Sequence, residues 1–309
     1  VTYRNCDNVY CIPMTLQTSL TLRDYIRVER LPTTWCAGCG LGIILNCIVQ
    51  AVDHRGLEKD EVSMISGIGC TGRMSGYVDF NTIHTTHGRA PAFATGLKMA
   101  QPDMTVLTVM GDGDAMSIGG NHLVHAMRRN IGMVAIVVNN NVYGLTGGQS
   151  SPTTPIGGVS TTSKAGSIER PMDLEALART LRAPFFARTT VNHTASLVKL
   201  VERAIEVDCF ALIEVISNCH ILYGRMNGSP DAVDMIAAMD SETRPTNPAL
   251  ERRKRLPLRV TSSGTKIGAD IVDSGDAQME DLAGRGVIWD RTGSDDLSHR
   301  YRDWAKRQA

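Results

Sequence analysis

The sequence predicts an α/β protein with a doubly wound, mostly parallel sheet and helices on both faces. Two observations lead there. Short, β-rich apolar runs alternate with helix-length amphipathic segments between Gly40 and Met239, the pattern of strands joined by crossover helices. Two of those runs stop abruptly, at Gly111-Asp112-Gly113 and at Asn139-Asn140-Asn141. Open α/β sheets bind ligands beside such strand ends.

The elements follow in order. Residues 1–23 show no clear period and read as an N-terminal arm, with a short helix over Thr21–Arg30. Cys6 and Cys11 in that arm read as ordinary thiols. Pro32 and two glycines then break the chain in LPTTWCAGCG. Gly40–Asp53 reads as a helix, with Leu41, Ile44, Leu45, Ile48 and Val52 on one face. Val62–Ser66 is an apolar strand. A loop carrying His84, His87 and Arg89 enters a small-residue helix near Pro91. Thr105–Val109 is a strand, Ser117–Asn130 a helix, and Met133–Val138 a strand. The Gly-, Ser- and Thr-rich stretch after Pro155 reads as a long functional loop. Asp173 caps a helix over Leu174–Leu181. Phe185–Thr190 (strand), Thr194–Val207 (helix), Ala211–Ile216 (strand) and Asp231–Met239 (helix) complete a domain over 24–239. Residues 240–309 carry few apolar clusters and read as an extended C-terminal tail over the surface or onto a partner. Within it Arg252–Arg255 is a solvated basic run, with partner docking as the other reading.

The 309 residues are 42% hydrophobic, and 32 basic residues balance 32 acidic ones. Such a balance gives no argument for nucleic acid or a membrane surface as partner. No apolar run approaches the roughly 20 residues of a membrane helix. No secretory signal is visible, and the chain begins with Val1, so an initiator Met or a longer leader is missing. A cytoplasmic location is expected. Eight cysteines in a chain this long point to metal or redox use rather than a disulfide scaffold.

The two strand ends suggest a metal–diphosphate site. Mg²⁺ takes oxygen ligands and shares phosphate oxygens. Asp112 offers a carboxylate oxygen, Asn140 an amide oxygen, and the Val142 carbonyl lies in the same loop. An ordinary strand-to-helix turn explains either motif alone less well once both occur together. Cys36 and Cys39 form a Cys-x-x-Cys pair, able to grip zinc, form a redox disulfide or hold part of an iron–sulfur cluster. A zinc ribbon would need a second pair. Instead Cys70 and Cys219 each follow an apolar strand, and four thiolates satisfy a 4Fe–4S cluster. Cys47 and Cys209 read as buried apolar residues.

GDG followed by an Asn-rich strand end resembles the thiamine diphosphate motif. WCAGCG, HGRA, GDGD, IGGNHLVHAMRRN and NNNVYGLTGGQSSPTTP resemble, in order, the β subunit of 2-oxoacid:ferredoxin oxidoreductases. The resemblance covers roughly Asp24–Met239. It implies the thiamine diphosphate-binding fold, in its diphosphate module, and a single 4Fe–4S cluster on Cys36, Cys39, Cys70 and Cys219. Ala37 and His220 stand where proline is commoner, and neither change removes a thiolate. The implied metal ligands for Mg²⁺ are Asp112, Asn140 and Val142. The implied cofactor-binding set adds Ile68, Gly69, His87, Gly88, Gly111, Gly113, Asp114, Tyr143, Gly144, Leu145 and Thr146.

No second α/β module is present to hold the cofactor's pyrimidine. The resemblance assigns that half to an α subunit, in a dimer of αβ heterodimers. The implied reaction converts a 2-oxoacid and coenzyme A to acyl-CoA and carbon dioxide, with reduction of ferredoxin. DYIRVERLPTTWCAGCG and YGRMNGSPDAVDMI resemble the 2-oxoglutarate-using branch more than the pyruvate one. Arg73, three residues after Cys70, carries physical content for that choice. It either pairs with the distal carboxylate of 2-oxoglutarate or binds a backbone carbonyl or water. The competing classes are a thiamine carboligase or decarboxylase, which leaves the cysteines idle, and an iron–sulfur or zinc scaffold, which leaves GDG idle.

Overall fold

The structure is a computed structural model that describes residues 22–239, 243–245, 283–290 and 297–308. Cys6, Cys11 and Arg252–Arg255 lie outside the described residues. In chain order come α1 (Leu41–His54), β1 (Val62–Ser66), β2 (Asn81–His84), α2 (Ala90–Ala100), β3 (Thr105–Gly111) and α3 (Gly120–Arg129). Then come β4 (Val134–Asn139), the hairpin β5 (Val142–Tyr143) and β6 (Gln149–Ser150), α4 (Leu174–Thr180), β7 (Phe185–Thr190), α5 (Thr194–Glu206), β8 (Ala211–Ile216) and α6 (Ala232–Ala238). The described C-terminal pieces are β9 (Thr243–Pro245), β10 (Ala283–Asp290) and α7 (Leu297–Gln308).

The main sheet runs β2-β1-β3-β4-β8-β7-β10-β9. All of its pairings are parallel except β10 on β7. Strand side chains alternate between two cores, as a pleated sheet covered on both faces requires. Leu107, Val109, Ile136 and Val138 join α1 and α5 on one face. Val106, Met110, Ala135 and Val137 join α2, α3 and α4 on the other. β2 and β3 lie on opposite sides of β1. The strand order therefore reverses at the β1/β3 junction, where such sheets open a crevice at their carboxyl ends.

Three expectations need correction. The predicted helix Ser117–Asn130 is broken: Gly113–Ile118 is a π-helical turn, and α3 starts only at Gly120. Gly119 packs on the Gly88 backbone there, 3.1 Å from where its own Cβ would sit. His84 is not in a loop. It ends β2, an edge strand too polar and exposed to stand out in the sequence. The tail expected from 240 onward is not extended where it is described. β10 adds antiparallel to β7, with Ile288 and Trp289 buried, and α7 lays Leu297 on the α2–α4 core. An apolar pair this short gives no periodic signal.

Trp289 stacks on Phe186 and donates its indole N–H to the Ala183 carbonyl at 2.7 Å. Trp289→Ala should therefore cost about 3–5 kcal/mol in denaturant unfolding. A loss below about 1 kcal/mol would mean that β10 contributes no core.

Candidate active site

The carboxyl ends of β1, β3, β4 and β8 carry the functional loops. Asp112, just past β3, is buried. Burial pushes its carboxyl up, while hydrogen bonds from Ser151, Thr153 and backbone amides pull it back toward ionisation. Ser151 Oγ donates to Asp112 Oδ2 at 2.7 Å, and Thr153 Oγ1 donates to the same oxygen. At the end of β4, Asn139 donates to Glu214 at 2.9 Å and accepts from the Asn141 amide at 3.3 Å. Asn141 has left-handed φ of 62°, and its carbonyl takes the Thr154 hydroxyl at 2.7 Å. Between them Asn140 Oδ1 is buried without a hydrogen-bond partner. A buried amide oxygen left unpaired costs free energy, and a hard cation would relieve it. The donor set of Asp112 and Asn140 thus fits Mg²⁺. The Val142 carbonyl follows at the head of the β5–β6 hairpin.

The other expected cofactor residues divide. Tyr143 lays its ring where a Cβ on Gly113 would be, 2.1 Å away, so only glycine fits there. Its hydroxyl donates to the Gly113 carbonyl at 3.3 Å. His87 and Gly88 sit against this turn, His87 edge-on to Tyr143. Asp114 is buried, and its Oδ2 has no hydrogen-bond partner. Its Oδ1 accepts from Gly88 N at 2.7 Å, from Ile68 N at 3.3 Å and from His87 Nδ1. It clasps the loops after β1 and before α2 together. Arg89 donates to the His87 carbonyl at 3.0 Å, fixing the same loop. His84 is spent on Ser66 at 2.9 Å. Thr146 bonds Gln149 at 2.6 Å. Ile68 and Leu145 are exposed, and Gly69 takes φ of 117°.

The four cysteines come together. Cys70 and Cys219 Sγ both lie within 3.6 Å of the point a Gly144 Cβ would occupy, in the loop that follows Val142. Cys39 is pushed up to about 11, first by burial and then by the charges of Cys219, Cys70 and Cys36. Cys70 is raised for the same reasons. Cys39, Cys70 and Cys219 are partly buried and Cys36 is exposed, and thiolates gathered in this way would call for cationic partners. Among the described residues no three His, Cys, Asp or Glu side chains converge on a single ion. A 4Fe–4S cluster takes one thiolate on each of four irons, a donor set that four neighbouring cysteines could supply.

Two side chains that sequence reasoning missed align these loops. Trp35 donates its indole N–H to the Cys70 carbonyl at 2.8 Å. Asn218 accepts from Gly40 N and donates to the Gly38 carbonyl, each at 2.9 Å. Both adjoin a cysteine in the sequence, the one signal available. Arg73 is exposed on the turn Thr71–Gly76, and its charge lowers Cys70 against the larger raising causes. Its guanidinium makes no hydrogen bond or ion pair with the described residues.

This fold and these strand-end loops define a thiamine pyrophosphate-binding domain, and residues 67–215 match the thiamine pyrophosphate enzyme C-terminal TPP-binding domain. A 2-oxoglutarate synthase subunit KorB of Archaeoglobus fulgidus is 50% identical over 196 residues, 63% of this chain and 73% of its own length. The KorB subunit of Methanothermobacter marburgensis is 40% identical over 90% of this chain and 96% of its own. A structure of 2-oxoglutarate:ferredoxin oxidoreductase from Magnetococcus marinus, with 2-oxoglutarate, coenzyme A and succinyl-CoA bound, superposes with a TM-score of 0.77 at 29% identity, over 96% of this chain and 92% of that one. The chain belongs to the KorB family, the β subunits of 2-oxoacid:ferredoxin oxidoreductases. It is an oxidoreductase subunit, as the cysteine and GDG motifs together imply.

Asn218→Ala would leave the Gly40 amide and Gly38 carbonyl unpaired. It should cost about 2–4 kcal/mol in urea unfolding. An unchanged midpoint and slope would show that the two cysteine loops hold together without it.

Proposed function

We propose that this chain holds the diphosphate end of thiamine diphosphate through Mg²⁺ and a 4Fe–4S cluster beside it, as the β subunit of a 2-oxoglutarate:ferredoxin oxidoreductase. The reaction takes 2-oxoglutarate and coenzyme A to succinyl-CoA and carbon dioxide and delivers two electrons, one to each of two ferredoxins. One observation carries the reading. The Cys70 and Cys219 sulfurs meet the Gly144 loop, which leads directly out of the Asn140–Val142 turn, so a cluster and a diphosphate held by these residues would share one sheet edge.

The residues have separate tasks. Asp112, Asn140 and the Val142 carbonyl would hold the metal. Cys36, Cys39, Cys70 and Cys219 would hold the iron. When bound, thiamine diphosphate supplies the electron sink for decarboxylation and the cluster supplies one-electron transfer. His87 is held at Nδ1 by Asp114, and its remaining ring nitrogen would serve as a donor to phosphate oxygen. Arg73 offers a charge to the distal carboxylate of 2-oxoglutarate. Pyruvate and 2-oxobutyrate have no such group.

An α subunit would complete the site with the pyrimidine half, in a dimer of αβ heterodimers. Large apolar side chains are exposed at Phe93, Ile118, Leu145, Ile156 and Ile168, surface that a protein partner would cover. A cytoplasmic location agrees with cysteines kept as thiolates for iron. No described helix is long and apolar enough to cross a membrane.

The test is ferredoxin reduction by co-expressed α and β subunits, with 2-oxoglutarate and with pyruvate. Arg73→Met should lower kcat/KM for 2-oxoglutarate about tenfold or more and spare pyruvate. Equal losses on both substrates would remove Arg73 from substrate choice. Absence of any substrate-dependent reduction would overturn the reaction.

A further inference from the structure

Ser151 and Thr153 both end on the same oxygen of Asp112. Ser151 Oγ donates to Oδ2 at 2.7 Å, and Thr153 Oγ1 reaches it through a shorter bond. All three residues are buried. A carboxylate oxygen has two lone pairs. Two hydroxyl donors fill those of Oδ2; backbone amides of Asp112 and Gly113 also reach the carboxyl, and a cation is left with Oδ1.

The hydroxyl pair is itself held in place. The Ser151 amide donates to Thr154 Oγ1 at 2.8 Å, and the Thr154 hydroxyl donates to the Asn141 carbonyl at 2.7 Å. The Pro152 carbonyl accepts from Met172 N at 2.8 Å, anchoring the far side of the loop. One segment therefore occupies Asp112 Oδ2 and fixes the turn that presents the unpartnered Asn140 Oδ1.

We infer that Ser151 and Thr153 are positioning residues that select the cation, by making Asp112 a one-oxygen ligand. Mg²⁺ is small and keeps near-ideal octahedral geometry, whereas Ca²⁺ takes six to eight oxygens and readily grips a carboxylate with both. With Oδ2 filled, the two-oxygen grip is denied and the site favours Mg²⁺. The inference rests on Asp112 and Asn140 being the metal ligands.

The test uses the αβ complex stripped with chelator. Thiamine diphosphate at fixed concentration is followed by equilibrium dialysis while Mg²⁺ or Ca²⁺ is titrated. The readout is the ratio of half-saturating Ca²⁺ to half-saturating Mg²⁺. Removing a donor weakens both cations by making Asp112 harder to ionise, and the ratio cancels that shared effect. Thr153→Val keeps the shape and loses the donor, so the ratio should fall about tenfold. Thr153→Ser should restore it, and Ser151→Ala should lower it. An unchanged ratio in Thr153→Val and Ser151→Ala, with cofactor still bound, overturns the inference, whatever happens to the melting temperature. Asp112→Ala tests the underlying reading separately. If cation-dependent binding survives there at wild-type strength, the metal assignment fails and the inference with it.

Discussion

A carboxylate taken out of water at the end of a central strand must be answered by donors or by a cation. Asp112 is answered by two hydroxyls that arrive from a loop about forty residues further along the chain. That demand draws the segment Ser151–Thr154 over the β3/β4 edge. The same segment closes on the Asn141 carbonyl, which leaves Asn140 between two fixed neighbours. Asn139 is tied in turn to Glu214 on β8, whose other oxygen meets Arg188 at 2.6 Å in a buried ion pair. The shape of the site follows from satisfying buried polar groups one after another.

The cysteines exploit the same edge. β1 and β8 each end next to a cysteine-bearing loop, and the Cys36–Cys39 loop is held across to them by Trp35 and Asn218. The protein places four thiols where thiolate charges would oppose one another. Such a group is stable as thiolates only around positive charge. The thiol cluster and the Asp112–Asn140 turn are joined through Gly144, a position with no side chain to separate them.

Much of this was legible in the residues. Val62–Ser66, Phe185–Thr190 and Ala211–Ile216 are short, β-rich segments, and the structure gives them the same bounds. Asp112, Asn140 and the four cysteines are recognisable because their chemistry is narrow. β2 was hidden by its exposed, polar edge, and β10 by an apolar pair too short to show a period. The π-helical turn after Asp112 depends on Gly88 approaching Gly119 from another loop. The bonds that Asp114 accepts from the Gly88 and Ile68 amides join loops that no local pattern in GDGD foretells. Asn218 joins residues about 180 positions away, and no local pattern carries such a pairing. What the sequence withholds is long-range hydrogen bonding, which depends on strand order rather than on neighbours.

The central claim is that one sheet edge holds the metal–diphosphate site and the iron–sulfur cluster side by side. Electron paramagnetic resonance of the reduced αβ complex, with Mn²⁺ and thiamine diphosphate bound in place of Mg²⁺, tests it directly. Adjacent sites predict strongly enhanced spin relaxation and broadening of the cluster signal, absent when Mg²⁺ is restored. A cluster signal unaltered by stoichiometrically bound Mn²⁺ would contradict the account.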